Sequence, residues 1–370
     1  MQSPQQQNQG QAQGQGQQQE LSSLMQTFLY SIKSKETQKL YLILINYFEK
    51  WHNRKIEDLL NLNSKTIEEI IIQYIIYMRN SDFSSSYINN RLAAITAFLS
   101  LNDVSLNRKK LNKFVGEQKK TVKDEAYNHE DLKKMFQHAT FRTRLLIAIY
   151  SSTGIRKGAI IDLKLRHLQK IESPYELYKF TVYENTKDEY ITFCTPECAS
   201  MIDEYIKKRK TAGENITQES YLIRNDFNYV FTKNAKSPKM TSISALKIVM
   251  DALLYRSDLR QVNHSTENNK YKRHNKSMFH AFRKYFNTCL VNADVNVTIK
   301  EMLMGHSVGL DDSYFRPTDQ KLLLEYMKAV NELTINEENR LKKKVDELQV
   351  KYDKIDALVS RIDYLEKQLK

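Results

Sequence analysis

Glycine is scarce in this chain. The 370 residues contain nine, and three of them (Gly10, Gly14, Gly16) fall in the first twenty positions. Four of the remaining six are Gly154, Gly158, Gly305 and Gly309, each close to an arginine or a histidine. A glycine-poor chain that keeps glycine at such points needs unusual backbone geometry or close approach there. Cysteine is scarcer still, with Cys194, Cys198 and Cys289 alone. Three thiols build no disulfide framework and no thiolate zinc site by themselves. Cys194 and Cys198 have no nearby histidine partners and read as small apolar residues. Apolar runs are short, and none approaches the roughly 20 residues of a membrane span. The Gln-rich start is not a basic-then-apolar signal. These lacks point to a reduced, cytoplasmic protein with no membrane partner.

Basic residues are abundant. Lysine and arginine number 57 against 44 acids, for a formal charge of +13 and a pI near 9.3. That balance favours a polyanionic partner, with nucleic acid first in line. Two stretches concentrate it. Arg108, Lys109, Lys110, Lys113, Lys119, Lys120 and Lys123 crowd a segment with few acids. From Asn268 to Ala293 there is no acid at all, while Lys270, Lys272, Arg273, Lys276, Arg283 and Lys284 are present.

The hydrophobic pattern divides the chain. Residues 1–20, with Gln at eleven positions, lack the apolar surface to fold and read as a disordered tail. Residues 21–115 read as a helical bundle. Leu40, Tyr41, Leu44, Tyr47, Phe48 and Trp51 form one stripe, and Ile67, Ile70, Ile71, Tyr74, Ile75 and Met78 form the next. Arg91 reads as a surface residue of this bundle, solvated or facing a nucleic acid. Residues 116–126 are a basic linker. Residues 127–331 are mainly helical, opened by an Asn128/Asp131 capping box. Within them YKFTVY (178–183) and EYITF (189–193) read as strands around a turn, ENTKD (184–188), that carries Lys187. Ser242 to Leu254 reads as a helix with Ile248 among its inward residues. Residues 332–370 form a tail in which Leu341, Val345, Leu348, Tyr352, Ile355, Val359 and Ile362 alternate at spacings of four and three. Leu369 resumes the pattern after Glu366, and the whole reads as a coiled coil.

Chemistry-bearing residues occur in a fixed order: TGIR ending at Arg156, Lys187 at the hairpin, His280 and Arg283 three apart, Gly305–His306, and Tyr314. Two arginines grip the non-bridging oxygens of one phosphate. Histidines handle protons, a lysine protonates a leaving 5′ oxygen, and a tyrosine is a competent nucleophile at phosphorus. The arginines do the work of a metal ion, and the sequence offers no evident carboxylate cluster or Cys/His ligand set. No cofactor is called for.

That ordered set resembles the tyrosine recombinase, or phage-integrase, family over about residues 24–330, with archaeal integrases nearest in flavour. The resemblance implies a mainly α fold: a helical N-terminal core-binding domain, a mainly helical catalytic domain with a small β-sheet, and here a coiled-coil tail. It implies a site-specific recombinase of a mobile element that cleaves and rejoins DNA through a 3′-phosphotyrosine without ATP or metal. Arg156 is then the first catalytic arginine, Lys187 the general acid and His280/Arg283 the HxxR pair. His306 is the second histidine and Tyr314 the nucleophile. The partners implied are double-stranded attachment-site DNA and three further protomers in a tetramer, in a nucleoid-associated setting. Three departures stand out. Ala159 replaces the acid common three residues after the first arginine, leaving Asp162 as a candidate to orient Arg156. Tyr314 follows His306 by eight residues rather than nine. One lysine stands near the hairpin tip, with Lys179 on the preceding strand as a weaker rival. The alternatives are a DNA-relaxing enzyme like the type IB topoisomerases, a non-catalytic accessory DNA-binding protein of the same fold, and a structural coiled-coil protein. The last does not explain the ordered set.

Overall fold

The computed structural model describes residues 21–117, 124–173, 175–226, 236–260, 274–309 and 314–368. The Gln-rich head, Lys119, Lys120 and Lys123 of the basic linker, residues 268–273 of the acid-free stretch, and Leu369 lie outside them. Two compact units meet in sequence between Thr121 and Val122.

The first unit is helical. Its helices are α1 (Ser23–Ser31), α2 (Lys35–His52), α3 (Ser64–Asn80), α4 (Ser85–Leu101) and α5 (Arg108–Val115). Each start is fixed by a polar side chain that accepts a hydrogen bond from an otherwise unpaired amide: Ser22, Ser34, Asn63, Ser84 and Asn107. Phe28, Phe48, Ile71, Ile75, Leu92, Ile95 and Phe98 fill the core. The inward stripe of α2 is narrower than expected, since Leu44, Ile45 and Phe48 are buried but Leu40 and Tyr47 are exposed. Arg91 departs further from expectation. It is buried, hydrogen-bonded to the hydroxyls of Tyr74 and Tyr87, with the Tyr47 and Tyr87 rings each 4.6 Å from its guanidinium carbon. Aromatic faces attract a cation, so a charge that periodicity places outside becomes a core element.

The second unit is mainly helical with a small sheet. Its opening helix, α6 (His129–His138), carries the expected Asn128/Asp131 capping box. Next, α7 (Phe141–Thr153) is buried nearly all round and ends where Gly154 turns left-handed. The short α8 (Ala159–Asp162) follows. The sheet is an antiparallel meander of β1 (Leu168–Ile171), β2 (Leu177–Val182) and β3 (Tyr190–Phe193). Phe180 stands opposite Thr192 and Val182 opposite Tyr190, so these four share a face. Strand β1 was not anticipated: it is four residues long and lacks a buried alternation. Helices α9 (Pro196–Thr211), α10 (Ile243–Arg256), α11 (His280–Asn292), α12 (Val297–Leu303), α13 (Asp319–Lys328) and α14 (Val330–Leu333) complete the body. On α10, Ile248 is exposed rather than inward. The tail is one helix, α15 (Glu337–Gln368), about 48 Å long. Its Leu341, Val345, Tyr352, Ile355 and Val359 are exposed. Among the described residues no helix is long and apolar enough to cross a membrane. All three cysteines are free and buried.

One buried carboxylate of this body is shared by two buried arginines. Glu214, fully buried, accepts from Arg209 at 2.5 and 3.0 Å and from Arg224 at 2.8 Å. Burial alone raises a carboxyl's pKa, but the two guanidiniums hold Glu214 below the ordinary value. A carboxyl depressed in the folded state stabilises above its unfolded pKa, and that stability is lost as pH falls through the folded value. Glu214→Ala leaves two buried guanidiniums without the anion between them. We expect a loss of about 3–5 kcal/mol in urea unfolding, and weaker dependence of stability on acid pH than in the wild type. A loss under about 1 kcal/mol contradicts this account.

Candidate active site

Arg283 is the centre of the second unit's polar interior. It sits on α11, whose Phe282, Tyr285, Phe286 and Leu290 are core residues, and it is itself only 6% exposed. Its Nη1 donates to the Gly154 carbonyl at 2.5 Å and its Nη2 to the Met304 carbonyl at 2.8 Å. The same Nη2 lies 2.7 Å from His306 Nε2. Burial lowers the pKa of Arg283, and Arg156 adds to that effect. Arg156 extends from the turn after α7, and its Nη2 donates to the Gly305 carbonyl at 2.7 Å. The carbonyl of Gly305, and not Asp162, is the orienting contact seen for Arg156.

Both glycines are tied to these contacts. Gly154 and Gly305 have φ of +61° and +63°. A Cβ on Gly154 would lie 2.2 Å from the Phe286 ring, and one on Gly305 2.4 Å from the Tyr190 ring. Each therefore allows a left-handed turn and a close aromatic approach while presenting a carbonyl to an arginine.

The remaining residues are placed differently. His280 starts α11 with an exposed side chain; partial desolvation of the ring, then the nearby Lys284, lower its pKa, with Asp124 opposing them. Lys187 is exposed at the β2–β3 turn. Its rival Lys179 is held by Asp319 at 2.8 Å. Tyr314 is 88% exposed, four residues before the Thr318 cap of α13. Among the described residues no hydrogen bond joins Lys187 or Tyr314 to the arginines. The structure thus brings Arg156, Arg283 and His306 together, places His280 at the head of the same helix, and leaves Lys187 and Tyr314 on the surface.

Residues 125–310 match the phage integrase family. The chain belongs to that family. The matched span takes in TGIR, the hairpin, HxxR and Gly305–His306; Tyr314 lies just past its end. No curated protein matches the chain. Among solved structures it is similar to the Tn1549 transposon integrase in complex with circular intermediate DNA. They share 18% identity over 82% of this chain and 98% of that one, with a TM-score of 0.53. It is also similar to a lambda integrase dimer bound to a core site, at 14% identity over 80% of this chain and 95% of that one, with a TM-score of 0.51. At these identities the likeness is one of fold: mainly helical, with a small sheet.

Within this phage-integrase fold, three neighbours of the arginines had no signal in the ordered motif. Tyr190 packs against Gly305 beside Arg283 and Arg156; burial pushes its hydroxyl up to about 12. Tyr183, at φ +58°, lies near the same charges. Glu301 stands 2.5 Å from His306. Its spacing of five residues from His306 is the one clue the sequence offered. A guanidinium has five N–H donors. The contacts above use three on Arg283, with the Tyr190 hydroxyl a further neighbour, and one on Arg156, which leaves each with at least one donor for an anion.

Gly305→Ala tests the close approach. Overpacking against Tyr190 should cost about 1–3 kcal/mol beyond the left-handed strain. Gly309→Ala is the control, since its φ is +72° with nothing within 4 Å of an added Cβ. Urea unfolding of the two variants should separate them by that amount. Equal losses would mean that the Tyr190 contact yields freely.

Proposed function

We propose that the chain is a site-specific DNA recombinase acting through tyrosine. The observation that carries this reading is the convergence of Arg156, Arg283 and His306, from three separate segments, on one cluster built around the buried Arg283 and retaining unspent donors. Preorganised guanidiniums stabilise the charge of a pentacoordinate phosphorus without reorganising during the reaction. Tyr314 Oη attacks the scissile phosphorus, the P–O5′ bond breaks, and a 3′-phosphotyrosine forms. The tyrosine proton passes to a histidine, and His280 has its side chain exposed for that role. Lys187 gives a proton to the leaving 5′ oxygen. A 5′-hydroxyl then attacks the phosphotyrosine and reverses these bonds. The phosphotyrosyl bond retains the energy of the phosphodiester, so this reading needs neither ATP nor metal.

The finer reading follows from the same family. Residues 21–115 serve as the core-binding domain and 127–331 as the catalytic domain, on duplex attachment sites in the nucleoid. Four protomers exchange strands in pairs. The tail of residues 332–370 is a coiled coil. What supports that is the exposed row of Leu341, Val345, Tyr352, Ile355 and Val359 on a 32-residue helix, an apolar face that a lone helix leaves in water.

Two experiments test this. Wild type and Tyr314→Phe are incubated in EDTA with a nicked duplex selected from random DNA by its binding to the protein, then quenched in detergent. The wild type should yield a covalent adduct mapped to Tyr314, and the variant none. An adduct that persists in the variant names another nucleophile, and binding without adduct favours an accessory DNA-binding protein. For the tail, a chain ending at Asn336 keeps the amides of Ile335 and Asn336 on the Glu197 carboxylate. Sedimentation should show it losing an association that the full chain has. Unchanged association would make the tail dispensable for assembly.

A further inference from the structure

Glu301 lies on the last turn of α12, five residues before His306. Its Oε2 is 2.5 Å from His306 Nδ1, and its Oε1 is 2.9 Å from Lys300 Nζ. On the far side of the ring, His306 Nε2 is 2.7 Å from Arg283 Nη2. A guanidinium only donates, so Nε2 must hold the lone pair. The one proton of the neutral ring is then on Nδ1, donated to the carboxylate. Burial raises the Glu301 pKa, but the hydrogen bonds from His306 and Lys300 outweigh it, so the group stays an acceptor. The backbone has its own bond here, His306 N–H to the Glu301 carbonyl at 3.0 Å. Any residue at position 301 keeps that bond, which separates the carboxylate's role from the loop's.

We propose that Glu301 is a positioning residue of the active site, which acts through His306 to hold Arg283. The carboxylate fixes the ring's rotation and its Nδ1–H tautomer. The Nε2 lone pair then faces Arg283 Nη2 and, with the Gly154 and Met304 carbonyls, sets the plane of the guanidinium. A ring oriented by a third group is the general arrangement in which a histidine serves catalysis. The titratable and charged groups around the ring are Glu301 and Lys300 on α12, with Arg283 and His280 on α11. Ala159, where the family resemblance implies an orienting acid, has no charge, and the acid this cluster contains approaches from the histidine side instead. Glu301 touches His306 and Lys300 and makes no claim on DNA. The inference deepens the recombinase reading and rests on it.

The test uses the full chain and two readouts. Nitrogen-15 NMR of the histidine rings, with the His306 signals assigned by their loss in His306→Ala, should show Nδ1 protonated and Nε2 unprotonated in the wild type. Glu301→Ala should move these signals toward the tautomer mixture of a free imidazole. The second readout is single-turnover adduct formation on the selected nicked duplex. Glu301→Ala should slow it by about tenfold to a hundredfold, the range for outer partners that orient a histidine. Affinity for the duplex should change less than about twofold. In a His306→Ala background the same substitution should add almost nothing, because the two act as one unit. A wild-type ring protonated on Nε2 overturns the proposal. So does a slowing that repeats in the His306→Ala background, which marks a merely structural role. If the wild type forms no adduct, the recombinase reading fails, and the NMR signals still decide how Glu301 holds His306. Should Glu301→Ala prove unstable, Glu301→Gln tests the same cycle with the side-chain volume kept.

Discussion

The buried guanidinium of Arg283 is the contact on which the second unit depends. A charge taken out of water is costly unless hydrogen bonds replace its hydration. Here the replacements are two main-chain carbonyls and one imidazole. They come from the end of α7, from the loop after α12, and from that loop's histidine. One side chain therefore ties its own helix to two other stretches of chain, the farther of them 129 residues away. Its own helix is anchored by Phe282, Phe286 and Leu290, so the position of the charge is set by apolar packing. Core and site are the same structure seen from two sides.

Scarce glycine belongs to this arrangement. A carbonyl aimed at an arginine has to leave the helix that precedes it, and the left-handed turn does that in one residue. Gly154 makes that turn against Phe286, and Gly305 makes it against Tyr190. The arginine holds the turn by its carbonyl, and the aromatic ring holds it from the side that a Cβ would occupy. Thr192 on β3 adds a bond to the Thr153 carbonyl at 3.1 Å, so the sheet braces the same turn. The small sheet reaches the site in this way, through one face of β3.

Much of this was legible in the sequence. The Ser, Asn and Thr caps mark helix starts because a short polar side chain satisfies an amide that the helix leaves open. The strands around ENTKD announce themselves by composition, and the Gly–His and Arg steps by their company. What stayed hidden has a shared cause. The partners of Arg156 and Arg283 are mostly backbone carbonyls, which no side-chain pattern records. Arg91 was hidden differently: its place on a helix face suggested water, and only the packed rings of Tyr47, Tyr74 and Tyr87 turn that face into a core. Strand β1 is too short for a period of two to show. Glu301 is one acid among 44, and its meaning comes only from the turn that returns His306 to it.

The division of the site follows from what each part must do. Groups that stabilise charge work best when fixed in advance, because any reorganisation during the reaction is paid out of their effect. Arg283 meets that requirement through burial, and Arg156 through a glycine carbonyl. Groups that make and break bonds to DNA have a different requirement. A nucleophile must reach a phosphate that belongs to a large, rigid partner, and an acid must reach the oxygen that leaves. On the recombinase reading proposed above, Tyr314, with its side chain in solvent, and Lys187, at a hairpin turn, are placed for approach rather than for permanence. Hydrogen bonds that align a tyrosine in a bound complex are commonly long or absent without substrate. On that reading the site holds its anion-binding half ready and completes its bond-making half on DNA. That order keeps an activated tyrosine from standing idle in water.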